Sequence, residues 1–360
     1  KIHYVNQFLE NQENGGLNSE SIINFESEDP LFKERSKLSV NYEDAINYFS
    51  SKRYFLDHDF LLNSSFSIGH SFEYETLYNE YNQMNASTVY GEISPGLNKI
   101  NDRTELKTTI NKLYTDINSN FFGKIKVIYT NYNYDYKTNT LSNNAKGFKK
   151  NENAISLKFK RNFFNYNLKL DVTKNLFGDR LGDLINVSIY SDRNKDFKYS
   201  FGLNISSNHP GLYYESYNSG YSDINWDNEI KQTQIKNIFL VLKSNSIGNL
   251  NLDFRLIDNY TYFSVVSDEK TLVPNVKQNN SIIDYLKIKW NKEFKFGKFA
   301  LDNSLVYQNV TQDENFLNVP EFLSRNSIYY SNIVLKGALF FQTGLSVKYF
   351  SKYYSNEYNP

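Results

Sequence analysis

The chain has 360 residues, 40 Lys+Arg against 40 Asp+Glu, 30 Tyr and 28 Phe, and no Cys. The absent cysteine excludes disulfide scaffolds and thiolate chemistry, and the neutral balance excludes a strong nucleic-acid footprint. No apolar run reaches the roughly 18 residues of a membrane-crossing helix, which leaves β-rich soluble domains or a membrane barrel whose lipid face takes every second residue.

Residues 1–35 read as an irregular N-terminal segment or partial strands, because Pro30 and mixed charges interrupt the start made by Ile22, Ile23 and Phe25. Leu38, Val40 and Tyr42 suggest a short strand. From Phe60 to Tyr74 the alternation is strong. Phe60, Leu62, Phe66, Ile68, His70, Phe72 and Tyr74 share one face, and Asn63, Ser65, Ser67, Gly69, Ser71 and Glu73 the other. Residues 76–103 read as a polar loop, and Leu106 to Ile117 as a strand with a phase slip of the kind a β-bulge makes.

The next strands repeat one pattern. Lys124 and Lys126 alternate with Ile125, Val127 and Tyr129, and Lys158 and Lys160 with Ile155, Leu157 and Phe159. After a turn expected at Arg161–Phe163, Lys169 and Asp171 alternate with Leu168, Leu170 and Val172. A strand at Ile185–Ile189 leads through a charged turn at 192–196 to Lys198, which alternates with Phe197, Tyr199 and Phe201. Ile238 to Leu242 is apolar throughout and shows no preferred face. Asp253 and Arg255 oppose Leu252, Phe254 and Leu256, and Lys287 and Lys289 oppose Leu286, Ile288 and Trp290. In the final hairpin, Leu339, Phe341, Leu345, Val347 and Tyr349 lie opposite Gln342, Ser346 and Lys348.

The connections have a rhythm of their own. Long ones at 76–103, 137–152, 175–183, 206–232, 263–280 and 311–325 alternate with short turns near 120, 162, 194, 246, 297 and 337. Short turns on one side and long loops on the other are the habit of an outer-membrane barrel, with the short turns periplasmic. The expected fold is therefore all-β: a transmembrane antiparallel up-and-down β-barrel over residues 36–360, with about 14–16 strands in this chain. On this reading the strand after Gly337 runs outward, so at least one further strand is expected in the full protein.

Candidate functional residues come from the face opposite the apolar one. Its cations are Lys124, Lys126, Lys158, Lys160, Lys169, Lys198, Arg255, Lys287, Lys289 and Lys348, and its anions Glu73, Asp171, Asp253, Glu293 and Asp302. In a barrel these residues line the pore; in an ordinary sheet they are a solvated face. No catalytic residues, cofactor or metal are expected. The four histidines, His3, His58, His70 and His209, lack metal-ligand spacing, and His70 with Ser67 or Ser71 is the sole local pair fit for a hydrolase.

Several motifs carry a resemblance. They are Tyr213–Ser219 with Asn225–Asn228, Tyr307-Gln308, Val319-Pro320, Arg325–Tyr330, Gly344, Tyr349-Phe350, Tyr353-Tyr354 and Tyr358–Pro360, with Lys52–Phe55 and His70 earlier in the chain. In these the chain resembles the Putative porin family of Bacteroidota. The resemblance implies a barrel in the bacterial outer membrane that passes small solutes. Its partners would be membrane lipid and lipopolysaccharide, small solutes, and other proteins or further copies of the chain, with no nucleic acid. Two other readings stay open: a closed structural or assembly barrel that binds proteins through its long loops, and a secreted β-rich adhesin.

Overall fold

The computed structural model describes residues 1–26, 37–141, 145–178, 180–191, 196–267 and 272–354. Fifteen strands form one antiparallel sheet in which each pairs with its next neighbour along the wall. The first eight wall strands are β1 (Ile2–Glu13), β2 (Ala45–Asn63), β3 (Phe66–Gln83), β4 (Ile100–Ser119), β5 (Gly123–Asn139), β6 (Lys146–Phe163), β7 (Tyr166–Phe177) and β8 (Leu184–Ser191). The wall continues through β9 (Phe197–Asn208), β12 (Thr233–Ser244), β13 (Gly248–Asp258), β16 (Ile283–Phe296), β17 (Phe299–Thr311), β18 (Phe322–Val334) and β19 (Leu339–Phe350). The remaining four are short hairpin strands inside two long loops: β10 (Ser216–Asn218) with β11 (Asn225–Asp227), and β14 (Thr261–Ser267) with β15 (Leu272–Gln278).

Long and short connections alternate along the whole wall. Short turns lie at 64–65, 120–122, 164–165, 192–196, 245–247, 297–298 and 335–338, with 192–195 outside the described residues. The opposite end carries all the longer connections. Many wall strands run 12 to 20 residues, longer than the roughly 9–11 a tilted strand needs to cross hydrocarbon, so they project past the apolar belt.

Residues 1–35, expected to be irregular or partial strands, contain a full strand and a helix. β1 pairs with β2 along its whole length. Its apolar residues are split between faces, with Tyr4 and Phe8 on one and Val5 and Leu9 on the other, which hides the period. Ile22 and Ile23, which resemble a strand start, lie in α1 (Ser19–Glu26), where Asn18 caps the first turn by accepting from the Ser21 amide at 2.8 Å.

Other boundaries also differ. Phe60–Tyr74 is two strands joined by a turn at 64–65; a two-residue turn exchanges odd and even positions, but a register shift between Leu61 and Asn63 restores them, so both arms read as one. β3 reaches Gln83 and β4 starts at Ile100, so the connection there is 84–99. β4 pairs with β3 and β5 without a register shift, so no bulge is present. Its apparent phase slip arises because Leu106, under a loop, and Ile110 face inward, while Leu113 and Ile117 face outward. The turn after β6 falls at 164–165, where Phe164 takes φ 47°.

The outer face is an apolar belt. Phe60 is 70% exposed and Leu345 75%, and Leu113, Tyr129, Ile155, Ile189, Phe201, Ile238, Phe254 and Ile328 lie open beside them. No helix among the described residues is long and apolar enough to cross a membrane. On the inner face, close strand packing depends on glycine at two points. Tyr114 lies flat across Gly69 to donate to Asp57 at 2.8 Å, and a Cβ at 69 would overlap its ring. Phe239 covers Gly202 in the same way. The Gly69→Leu variant is expected to lose about 1–3 kcal/mol of stability through overpacking, read as an earlier melting midpoint by circular dichroism in detergent.

Candidate functional site

The inner face is defined by the loop that rests on it. The β9–β12 connection folds as α2 (Leu212–Glu215) and the β10–β11 hairpin, and it packs on β3–β5 at the long-loop end. Tyr136 donates to the Ser216 carbonyl at 2.9 Å, and Thr138 accepts from the Asn218 amide at 3.2 Å. Asp102, 4% exposed, accepts from the Ser219 hydroxyl and, at 2.7 Å, from the Gly220 amide. Tyr221 reaches the fully buried Gln83 at 2.7 Å. Tyr42, Tyr81, Tyr90, Ile100, Tyr221 and Ile224 close a small core there, drawn from three connections and the tops of β3 and β4. Burial raises the Tyr42 and Tyr221 phenols above their ordinary value, so both stay protonated donors.

A second set of contacts ties down the β7–β8 connection. Fully buried Glu152 on β6 accepts from the Arg180 and Leu181 amides at 3.1 and 2.7 Å and from Tyr134 at 3.0 Å. The Arg180 guanidinium pairs with Glu215 of α2, linking two loops. Burial raises the Asp183 carboxyl, but the Lys174 ammonium at 2.5 Å and the Asn175 amide more than offset it and hold it below the usual range. That anchor is present at neutral pH and lost only as acid takes the pH down through the lowered value. Beneath these loops lies an inner cavity of about 590 Å³, walled by Phe49, Leu77, Leu106, Tyr132 and Tyr136 and roofed by Tyr213.

Register places the candidate charged residues. Lys124, Lys126, Lys158, Lys160, Lys169 and Asp171 share the inner face with Tyr136 and Thr138. Lys198, Asp253, Arg255, Lys287, Lys289 and Lys348 follow on the same face through the remaining strands. Glu73, Glu293 and Asp302 are there too. The structure brings the first six together around a recess of about 360 Å³ near the short turns. Lys124, Lys160 and Lys169 stand in one cross-strand row and Lys126, Lys158 and Asp171 in the next. Lys126 pairs with Asp116 at 2.9 Å and lies 3.6 Å from the Tyr114 ring centre. The others are spread out: Arg255 binds Asp253 at 2.5 Å, and Lys348 sits opposite Arg325.

The sequence reading missed several members of this face. Arg53, Lys112, Lys243, Lys295 and Arg325 add cations, and Asp57, Asp59, Glu75 and Asp116 add anions. Positive charge still exceeds negative between the loop and the short turns. Phe239 and Val241 face inward, which resolves the all-apolar run on β12. His58 and His70 face each other on the outer side, ring centres 5.2 Å apart, so His70 is on the opposite face from Ser67 and Ser71. No group of three or more metal-ligating side chains occurs among the described residues.

An apolar belt outside, a charged face inside and alternating turns define an antiparallel β-barrel of the bacterial outer membrane. The sequence profile described as Putative porin matches residues 1–360, and the chain belongs to that family. No curated protein matches it. Among solved structures it is similar to the copper transporter OprC (TM-score 0.59, 11% identity, 82% of this chain and 52% of that one). It is also similar to the siderophore receptor PirA from Acinetobacter baumannii (0.56, 15%, 86% and 51%). A third is a mutant ferric enterobactin receptor from Pseudomonas aeruginosa in complex with enterobactin (0.57, 11%, 87% and 51%). The chain spans about half the length of these structures, and at such identities they show a shared fold.

Asp102 ties loop to wall through two hydrogen bonds. Asp102→Ala removes a charged acceptor worth about 1.5–3 kcal/mol per bond. Amide exchange at Ser219 and Gly220 is expected to speed up about tenfold or more, while wall amides stay protected.

Proposed function

We propose that the chain forms the wall of a porin that passes small hydrophilic solutes passively through a polar, lysine-rich lumen. The observation that carries this reading is the charge of the inner face, which bears ionic side chains on most strands from β2 to β19 while the outer face carries an apolar belt. Such a face needs water, and a continuous wet interior is a conduction path. Excess lysine gives that path a modest preference for anions, screened over about 8 Å at physiological salt. No side chain is assigned a catalytic role.

The inward-folded β9–β12 loop favours a second reading, a structural or assembly barrel with a closed lumen that binds proteins through its outer loops. Planar-bilayer recording separates the two. A porin gives steps in the intact protein, a chloride-selective reversal potential under a potassium chloride gradient, and selectivity that falls as salt rises. Replacing residues 212–228 with a short Gly-Ser linker should then enlarge the steps. Steps that occur in the deletion variant alone would favour the closed barrel, and a clear cation preference would contradict the lysine-set field.

A further inference from the structure

Three features set the lysine recess apart from the rest of the inner face. The first is register. Lys124 faces Lys160, Lys160 faces Lys169, and Lys126 faces Lys158. Directly opposed like charges destabilise a sheet, and the ordinary neighbour of a cross-strand lysine is an acid. The second is the fate of the nearby carboxylates. Asp116 is taken by Lys126 at 2.9 Å and Asp171 by Lys169 at 2.9 Å. Among the described residues, Lys124, Lys158 and Lys160 have no carboxylate within ion-pair distance. The third is shape: these side chains enclose a recess of about 360 Å³.

Elsewhere on this face, opposed cations come as single pairs, Lys198 with Lys243 and Arg325 with Lys348, and not as a row across three strands. Arg53 binds Glu73 at 2.8 Å, Arg255 binds Asp253, and Lys287 stands opposite Asp253. The recess is where five lysines converge on two carboxylates, each already held by a lysine. Neighbouring strands are about 4.8 Å apart, so ammonium groups on three of them can reach one small anion together. That anion would replace mutual repulsion with charge-assisted hydrogen bonds.

Resting on the reading of the inner face as a water-filled lumen, we infer that Lys124, Lys158 and Lys160, with Lys126 and Lys169 beside them, form a discrete saturable site for a small oxyanion of at least two charges. Inorganic phosphate and phosphate monoesters share that chemistry. A monovalent anion satisfies one ammonium and leaves the others opposed, so the site discriminates by charge as well as sign.

The test is titration calorimetry on the whole protein in detergent at low salt, with inorganic phosphate and with glucose 6-phosphate as probes. Saturable binding of at least one probe is expected, and the tighter of the two identifies the source. The Lys158→Gln/Lys160→Gln double variant is expected to weaken binding about tenfold or more, and Lys124→Gln, a single exposed change, moves it in the same direction. The Lys287→Gln/Lys289→Gln variant removes equal charge from the same face and leaves the affinity unchanged. No saturable binding, or equal weakening by both double variants, would overturn the site and leave only a diffuse field. Calorimetry needs no conduction, so a protein that binds phosphate but is silent in bilayers would count against the porin reading alone.

Discussion

The structure depends first on the backbone. A chain surrounded by hydrocarbon cannot leave N–H or C=O groups to water, so each strand must take its hydrogen bonds from its neighbours. Next-neighbour antiparallel pairing does this, with the shortest connections, for every strand between the two end strands β1 and β19, and the wall follows it without a crossover. Once pairing is fixed, parity is fixed as well. Every residue on a strand then faces either lipid or the interior, and a one-residue slip would exchange them all. The strand-to-strand pairing carries each face through the chain, which is why Lys124 on β5 and Lys348 on β19 lie on the same side.

Parity is also what made the wall legible. Where one face meets lipid and the other water, the period of two is written into residues such as Leu168, Leu170 and Val172 against Lys169 and Asp171. It fades where a strand's surroundings change partway along. β4 carries Leu106 inward beneath a loop and Ile110 inward beside it, so its pattern looked like a slip. β1 divides its apolar residues between faces and gave no signal at all. Lys158 and Lys160 could be assigned to a face from sequence. That they oppose Lys126, Lys124 and Lys169 could not, because register between strands depends on turn positions, and the turn after β6 lies later than its sequence suggested.

The folded loop was the least legible feature. Its sequence, Tyr213 to Asp227, is polar and aromatic and reads as an ordinary long connection. Its fold comes from partners distant in sequence: Asp102, Tyr136, Thr138 and Gln83 on the wall, Glu92 on the β3–β4 connection. None of those pairs is within reach of a local pattern. The phenols are a partial sign in retrospect. Tyr42, Tyr81, Tyr90 and Tyr221 bury their rings and still find polar partners for their hydroxyls, which suits a core built from loops that cannot exclude every polar group.

Charge is divided along the axis as well as between faces. The long-loop end carries Glu43, Asp44, Glu92, Asp223, Asp227, Glu229, Asp313, Glu314 and Glu321, against few cations, while the lysine recess sits beside the short turns. A neutral chain can therefore hold a basic interior under an acidic rim. The two regions would cancel if they were close, but fourteen residues of β5 separate Lys124 from Thr138. At about 3.3 Å per residue that is roughly 45 Å along the strand, several times the screening length of about 8 Å. The field of each region is thus almost independent of the other.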